Sequence, residues 1–132
     1  MRKKAFILAS LCAICFFIME ANASSYHVNN EKSNIPNGAD EIELIGQLDF
    51  NAGPDDIEAG ATDNAVYIQF NRSFGNVNIA LYNATGIIIY NCSVDTSMQQ
   101  LVVIPITSMV SGIYTVVISN ANGNVEGDFN KD

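Results

Sequence analysis

The amino-acid sequence predicts an all-β domain, a sandwich or a small barrel, behind an N-terminal export signal. Short apolar runs alternate with turn residues from residue 42 onward, and many of these runs are rich in Val, Ile and Tyr. Period-two alternation and β-branched residues are typical of strands. No stretch after residue 23 has a sustained helical period. A chain of 132 residues is long enough for one domain.

Residues 1–23 predict a secretory signal peptide. Residues 2–4 are basic, residues 5–19 are apolar apart from one serine, and residues 21–23 form a small-x-small cleavage site. The apolar run is shorter than the roughly 20 residues that span a bilayer. We therefore expect export to the periplasm, the cell surface or the exterior, and no stable membrane insertion after cleavage.

Loss of the signal would change the charge of the chain from −8 to −10, because it removes three of six basic residues but only one of 14 acids. The remaining 109 residues keep one cysteine, Cys92, so no intrachain disulfide is expected. Nucleic-acid binding needs clustered Lys and Arg to neutralise phosphates. The acidic balance therefore argues against a nucleic-acid partner.

The processed chain is predicted to have two parts. Residues 24–40 are polar, rich in Asn and Ser, and predict a flexible segment that carries His27, while residues 41–132 predict the folded domain. Residues 49–63 predict a long acidic loop. Seven strands are predicted in the domain, at Ile42–Leu48, Ala65–Phe70, Asn76–Tyr82, Gly86–Cys92, Leu101–Ile106, Ile113–Ser119 and Val125–Phe129.

Two turns predict β-hairpins over 77–92 and 113–129. Each turn begins with Asn and ends with Gly, at Gly86 and Gly123. The Asn side chain can bond the backbone two residues on, and Gly accepts a left-handed conformation. Gly112 and Tyr114 follow a predicted strand and begin the next one, a pattern that indicates a tyrosine corner in a Greek-key sandwich.

These motifs carry a family resemblance. The segment from Gly75 onward, the Ile-Glu-Leu-x-Gly sequence at 42–46 and the Arg72-Ser73 pair resemble a small secreted domain-of-unknown-function family of gut Bacteroidales. The resemblance implies an immunoglobulin-like Greek-key β-sandwich of about seven antiparallel strands. The C-terminal half also resembles the C-terminal sorting domain of type IX secretion, which leaves a sorting-like or accessory module as an alternative function. Neither resemblance carries catalytic residues.

The sequence predicts no enzyme, no cofactor and no catalytic or metal site. A Ser or Cys nucleophile needs a base, and His27 lies in the segment predicted to be flexible. One His and one Cys cannot form a zinc site. Calcium needs only oxygen ligands, so the acids of the 49–63 loop leave calcium binding open. They do not have EF-hand spacing.

We expect a non-enzymatic domain that binds a protein or glycan partner at the cell envelope. Tyr67 and Tyr82 lie off the apolar faces of their predicted strands and are candidate binding residues, with a carbohydrate-binding module as a further alternative. An edge-strand homodimer is also open, because the edges of a sandwich can recruit partners. Gly86, Gly112, Tyr114 and Gly123 are expected to have structural roles.

Overall fold

The computed structural model describes residues 34–53 and 55–132. The predicted signal peptide and residues 24–33 lie outside them. The described residues contain no helix long and apolar enough to cross a membrane. They form nine strands: β1 (Asp40–Ile42), β2 (Ile45–Gln47), β3 (Ile57–Ala61), β4 (Ala65–Phe70), β5 (Asn76–Tyr82), β6 (Ile88–Asp95), β7 (Leu101–Pro105), β8 (Gly112–Asn120) and β9 (Gly123–Lys131).

The strands form two antiparallel sheets. The four-stranded sheet has the order β1-β3-β4-β7, and the five-stranded sheet has the order β2-β9-β8-β5-β6. The chain passes from one sheet to the other between β1 and β2, between β2 and β3, between β4 and β5, between β6 and β7, and between β7 and β8. Hairpins joined by such crossings are typical of Greek-key sandwiches. The prediction of an all-β sandwich is confirmed.

The core lies between the two sheets and follows the predicted alternation. Val77, Ile79 and Leu81 of β5 are buried, and the residues between them face away. Full burial of such a side chain contributes roughly 1.5–3 kcal/mol relative to exposure. The four-stranded sheet contributes an equally buried face from β4 and β7. Its residues are Val66, Ile68, Phe70, Val102 and Ile104.

The predicted strand at 42–48 is instead two short strands in different sheets. β1 pairs with β3 in one sheet, and β2 pairs with β9 in the other. Residues 43–44 make the crossing. Both Ile42 and Leu48 enter the core, and this explains why the apolar pattern resembled one strand.

The predicted acidic loop over 49–63 is wrong for its second half, which contains β3. This strand has the sequence Ile-Glu-Ala-Gly-Ala, and Ala and Gly have low strand propensity. Its position between β1 and β4 supplies pairing on both sides. A Cβ at Gly60 would lie 2.9 Å from Ile35 and 3.3 Å from Ala39, so the small residues allow residues 35–39 to pack on β3.

The described end of the segment predicted to be flexible is attached to the domain. The Asn34 side-chain amide donates to Gln69 Oε1 at 3.0 Å, and the Ala39 amide donates to the Pro36 carbonyl at 3.0 Å. The strand region also begins at Asp40, one residue before the predicted boundary. Residues 34–40 therefore contact the folded domain in this structure.

Both predicted hairpins are present, as β5–β6 and β8–β9. In the first turn Asn83 Oδ1 accepts from the Thr85 amide at 3.0 Å, and Gly86 has a φ of +84°. In the second turn Asn120 Oδ1 accepts from the Asn122 amide at 2.8 Å. The two turns use Asn as expected from the sequence.

The left-handed conformation predicted for Gly123 is wrong, because Gly123 is not among the glycines with positive φ. It is required instead by close packing. A Cβ at this position would overlap the carbonyl oxygen of Gln47 on β2. The absence of a side chain at Gly123 lets β2 approach β9.

Candidate binding surface

Tyr114 lies where the chain crosses from β7 to β8. Its hydroxyl donates to the Val110 carbonyl at 2.5 Å, and its ring stacks on Phe129 with centroids 5.7 Å apart. The side chain is buried. Gly112, two residues earlier, opens β8 with a φ of +152°. This is the geometry of a tyrosine corner, and it gives Tyr114 a structural role.

Tyr67 and Tyr82 do not form one binding platform. Tyr67 lies on β4 in the four-stranded sheet, opposite Gly60 and Val103. Tyr82 lies at the end of β5 in the five-stranded sheet. Both are half-buried. The structure therefore separates these two candidate residues.

Tyr82 belongs to a row of paired residues on the outer face of the five-stranded sheet. Ile88 of β6 lies opposite Tyr82, Tyr82 lies opposite Thr115 of β8, and Thr115 lies opposite Asp128 of β9. Residues that pair directly across antiparallel strands share a face. The β6 end of the row is apolar and the β9 end is acidic.

Exposed isoleucines surround the apolar end of this row. The exposed fractions are 61% for Ile87, 50% for Ile88 and 39% for Ile89. Ile113, which lies two residues before Thr115 on β8 and so on the same face, is 52% exposed. We call Ile87, Ile88, Ile89, Ile113 and Tyr82 the isoleucine patch. The sequence predicted a strand here and did not reveal the patch.

A β-bulge is part of the isoleucine patch. The register of β5 and β6 shifts at Leu81 and Tyr82, so that Leu81 pairs with Tyr90 whereas Tyr82 pairs with Ile88. Ile89 is the extra residue. A bulge bends a strand and re-aims its side chains, and here it interrupts the alternation that would direct every second isoleucine into the core.

The acidic loop is organised by Arg72. This residue bonds Asp49 at 2.9 Å and Asp56 at 3.0 Å, and its guanidinium lies 4.4 Å from the Phe74 ring centroid. The Gly53 amide, which donates to Asp56 Oδ2 at 2.8 Å, and then Arg72 hold the pKa of Asp56 below its ordinary value. The Asp56 carboxylate in turn raises the pKa of Arg72.

The bonds of these loop acids affect whether their carboxylates are available to bind calcium. Two of the acids in the loop already have Arg72 as a partner, and Glu58 accepts from the Asn71 side chain at 3.0 Å. Among residues 34–53 and 55–132, no three His, Cys, Asp or Glu side chains are grouped so that they could hold a metal ion. The loop therefore acts as a salt-bridged connection in this fold.

An open groove of about 610 Å³ runs along β1 and β3. Its lining includes Ile42 and Ile57 and the acids Glu41, Asp55 and Glu58. The groove therefore combines apolar and carboxylate groups without a nucleophile–base pair in its lining. Cys92 lies elsewhere, on β6 opposite Ile79, and is 5% exposed. His27 lies outside the described residues.

Comparison with known proteins identifies the family. Residues 46–131 match the family described as domain of unknown function DUF3244. The chain belongs to the DUF3244 family. The match covers β3 to β9 and most of β2, so the isoleucine patch and the tyrosine corner both lie within the family domain.

The fold is shared with a solved member of the DUF3244 family. This relative is a DUF3244 family protein from Bacteroides vulgatus, described as having an immunoglobulin-like β-sandwich fold. It is 19% identical, with a TM-score of 0.63, and the alignment covers 71% of this chain and 99% of the relative. The immunoglobulin-like fold and the Bacteroidales resemblance are confirmed. No curated protein matches the chain.

Proposed function

We propose that this DUF3244 protein is an exported, non-enzymatic binding domain that recognises a protein at the cell envelope through the isoleucine patch. The observation that carries the proposal is four exposed isoleucines beside a half-buried tyrosine on an acidic molecule. Exposed apolar side chains that cluster, unlike those scattered singly, mark interaction sites.

The location of the patch supports protein binding. It spans β6, β5 and β8 on a rigid, hydrogen-bonded sheet, so little conformational entropy is lost when a partner packs on it. Tyr82 adds an aromatic ring of the type that is enriched at protein interfaces. The residue opposite Tyr82 on β6 is Ile88, whose aliphatic side chain offers no hydrogen bond to a sugar hydroxyl.

Export and a non-enzymatic role complete the proposal. Export rests on the three-part signal at residues 1–23. The non-enzymatic role rests on a fold whose buried groups serve packing, with Tyr114 and Cys92 both committed to the core. The activity we propose is recognition, with no bond made or broken.

The test is affinity capture from a cell-envelope extract with three forms of the purified protein. Wild type is compared with Ile88→Asp, which places a charge in the patch, and with Met98→Asp. Met98 is 73% exposed and follows β6 at its other end, beyond Asp95. The two variants have equal net charge and each replaces an exposed apolar side chain, so the main difference is the place of the substitution.

We expect envelope proteins that wild type and Met98→Asp retain and that Ile88→Asp loses. Mass spectrometry identifies them. Equal capture by all three forms would contradict a role for the patch. Retention of purified envelope polysaccharide in place of protein would overturn protein recognition in favour of carbohydrate binding.

A further inference from the structure

We infer that the groove along β1 and β3 binds an extended peptide segment of a partner protein, one that alternates basic and apolar side chains. The inference goes beyond the proposed function, because the groove lies on the four-stranded sheet and the isoleucine patch lies on the five-stranded sheet. The two surfaces can therefore be tested separately.

The floor of the groove is apolar. Ile42 and Ile57 are buried, and Leu44 is half-buried in the same lining. A second open pocket, of about 260 Å³, also has Leu44 and Ile57 in its lining, so the apolar surface continues past the groove toward β2. An apolar side chain of a bound peptide gains free energy by leaving water at this floor.

Four carboxylates line the groove, at Glu41, Glu43, Asp55 and Glu58. Glu41 lies opposite Gly60, two residues from Glu58 on β3, and diagonal neighbours of this kind are separated by about 7–8 Å on one face of the sheet. The ion pairs among the described residues join Arg72 to two acids outside the groove. The groove carboxylates are therefore not neutralised by the described part of the chain.

The spread of these carboxylates selects the kind of cation. In the part of the chain that the structure describes, no three His, Cys, Asp or Glu side chains are grouped so that they could hold one metal ion. Lys and Arg carry their charges at the ends of long stems, so successive basic residues of one peptide can reach separated carboxylates. Charge complementarity therefore favours a basic peptide and opposes an anionic partner.

An open strand edge explains why the partner is a peptide. The pairing of β1 with β3 ends at Ile42, opposite Ala59, because the chain then crosses to the other sheet. The Phe70 amide donates to the Gln100 carbonyl on the β7 side at 2.7 Å. Ile57 lies directly opposite Phe70, so its own amide and carbonyl point away from β4, toward the groove. Among the described strands, none pairs with Ile57 on that side.

A short extended peptide completes this edge by pairing with Ile57 in line with β1. Its alternate side chains then point to opposite faces of the sheet. One set meets Glu41 and Glu58 on the outer face, and the other packs beside Leu44 and Ile57. Peptides that add a strand to a sheet edge gain affinity from main-chain hydrogen bonds and specificity from alternate side chains.

Titration with the blocked peptide Lys-Val-Lys-Val-Lys-Val-Lys, followed by NMR, tests the inference. We expect saturable binding, with amide shifts concentrated at residues 41–44 and 57–60. Glu41→Gln and Glu58→Gln should each raise the dissociation constant roughly two- to fivefold. Glu126→Gln is the matched control, because it removes an equal charge from an exposed position on β9, and it should bind like wild type.

Two results of this titration would overturn the inference. One is the absence of binding at about 1 mM peptide, a concentration at which a weak interface is still occupied. The other is equal weakening by Glu126→Gln and by the groove variants, because that result would reflect only the net charge of the protein.

Two further peptides separate strand pairing from charge. N-methylation of the valine amides removes the donors that face Ile57 and keeps every charge, and we expect it to weaken binding roughly fivefold. Equal affinity of the methylated and unmethylated peptides would overturn strand addition. A peptide with Glu in place of Lys should not bind, and its binding would overturn the charge complementarity.

Failure of this inference can be distinguished from failure of the proposed function. Ile88→Asp should bind the basic peptide like wild type, because Ile88 lies on the other sheet. A protein that captures envelope proteins through the isoleucine patch but binds no basic peptide would overturn the inference and leave the proposed function intact. Peptide binding in the groove without capture by the patch would do the reverse.

Discussion

Tyr114 links the β7–β8 connection to the core through one hydroxyl group. The ring is buried against Phe129, while the hydroxyl reaches back four residues to the Val110 carbonyl. Val110 itself is 77% exposed. The hydrogen bond therefore adds to the buried Ile106 and the partly buried Met109 in fixing the path of the connection between the two sheets.

Tyr114→Phe should lower the free energy of unfolding by about 1 kcal/mol, because it removes this hydrogen bond and leaves the ring packing in place. Chemical denaturation measures the loss. Tyr67→Phe is the control, since it removes the hydroxyl of a half-buried tyrosine that has no hydrogen bond to another described side chain or carbonyl. Equal stability of wild type and Tyr114→Phe would show that the corner contributes nothing.

Gly123 lies so close to β2 that even one added carbon atom would disturb the packing. Gly123→Ala adds a methyl group against the Gln47 carbonyl, so β2 must move away from β9, at a cost of about 1–3 kcal/mol. Gly38→Ala is the control, since a Cβ there meets nothing within 4 Å. Hydrogen exchange should become faster in the β2–β9 pair of Gly123→Ala. Unchanged exchange and stability would refute the packing role of Gly123.

At the scale of strands, the sequence predicts those that alternate strictly and carry β-branched residues. β5 and β8 have this pattern and lie where it places them. β3 was missed because Ala and Gly have low strand propensity. Small residues are needed there because residues 35–39 pack closely against the strand. β1 and β2 were merged because both contribute buried apolar residues, and only the sheet order separates them.

The connection between β2 and β3 is held by the Asp56 carboxylate, which accepts from the Gly53 amide and pairs with Arg72. The lowered pKa of Asp56 means that its carboxylate binds protons less readily when folded than when unfolded. Its contribution to stability is fully present above the ordinary value of 3.8 and is lost as the pH falls through the lowered folded value. The stabilisation is therefore an acid-sensitive property of this element.

Asp56→Asn should reduce stability at pH 7, and the difference from wild type should shrink as the pH falls below about 4. Urea denaturation at pH 7 and at about pH 3 measures this difference. Asp55→Asn is the matched control, because Asp55 is exposed and contributes its backbone carbonyl, at 2.6 Å from Asn71 Nδ2. A penalty in Asp56→Asn that does not vary with pH would contradict stabilisation by the ionised Asp56 carboxylate.

At the scale of the whole molecule, the isoleucine patch could not be predicted from the local pattern. Residues 87–89 are three consecutive isoleucines, a run that suits a buried strand. They are exposed because β6 lies at the end of the sheet order and because the bulge shifts its register. The position of a strand in a sheet depends on long-range pairing, which the local sequence does not specify.

The net charge of the whole molecule should make its stability depend on salt. Residues 34–132 carry 12 acidic and two basic side chains, a net charge of −10, and folding holds these charges closer together than in the unfolded chain, so their repulsion favours unfolding. The described part of the chain has two basic side chains, Arg72 and Lys131. Of these, Arg72 is paired with Asp49 and Asp56 of the β2–β3 connection. Added sodium chloride shortens the Debye length from about 30 Å at 0.01 M to about 3 Å at 1 M.

We therefore expect the melting temperature to rise with sodium chloride at one fixed, low protein concentration. Asp63 provides a graded test, because it is exposed in the turn between β3 and β4. At low salt, stability should increase from wild type to Asp63→Asn to Asp63→Lys, by roughly 0.5 kcal/mol in total. The three forms should converge at high salt, since screening removes the repulsion that separates them. Three parallel salt curves would instead assign the gain to local turn geometry and leave the net charge without effect on folding.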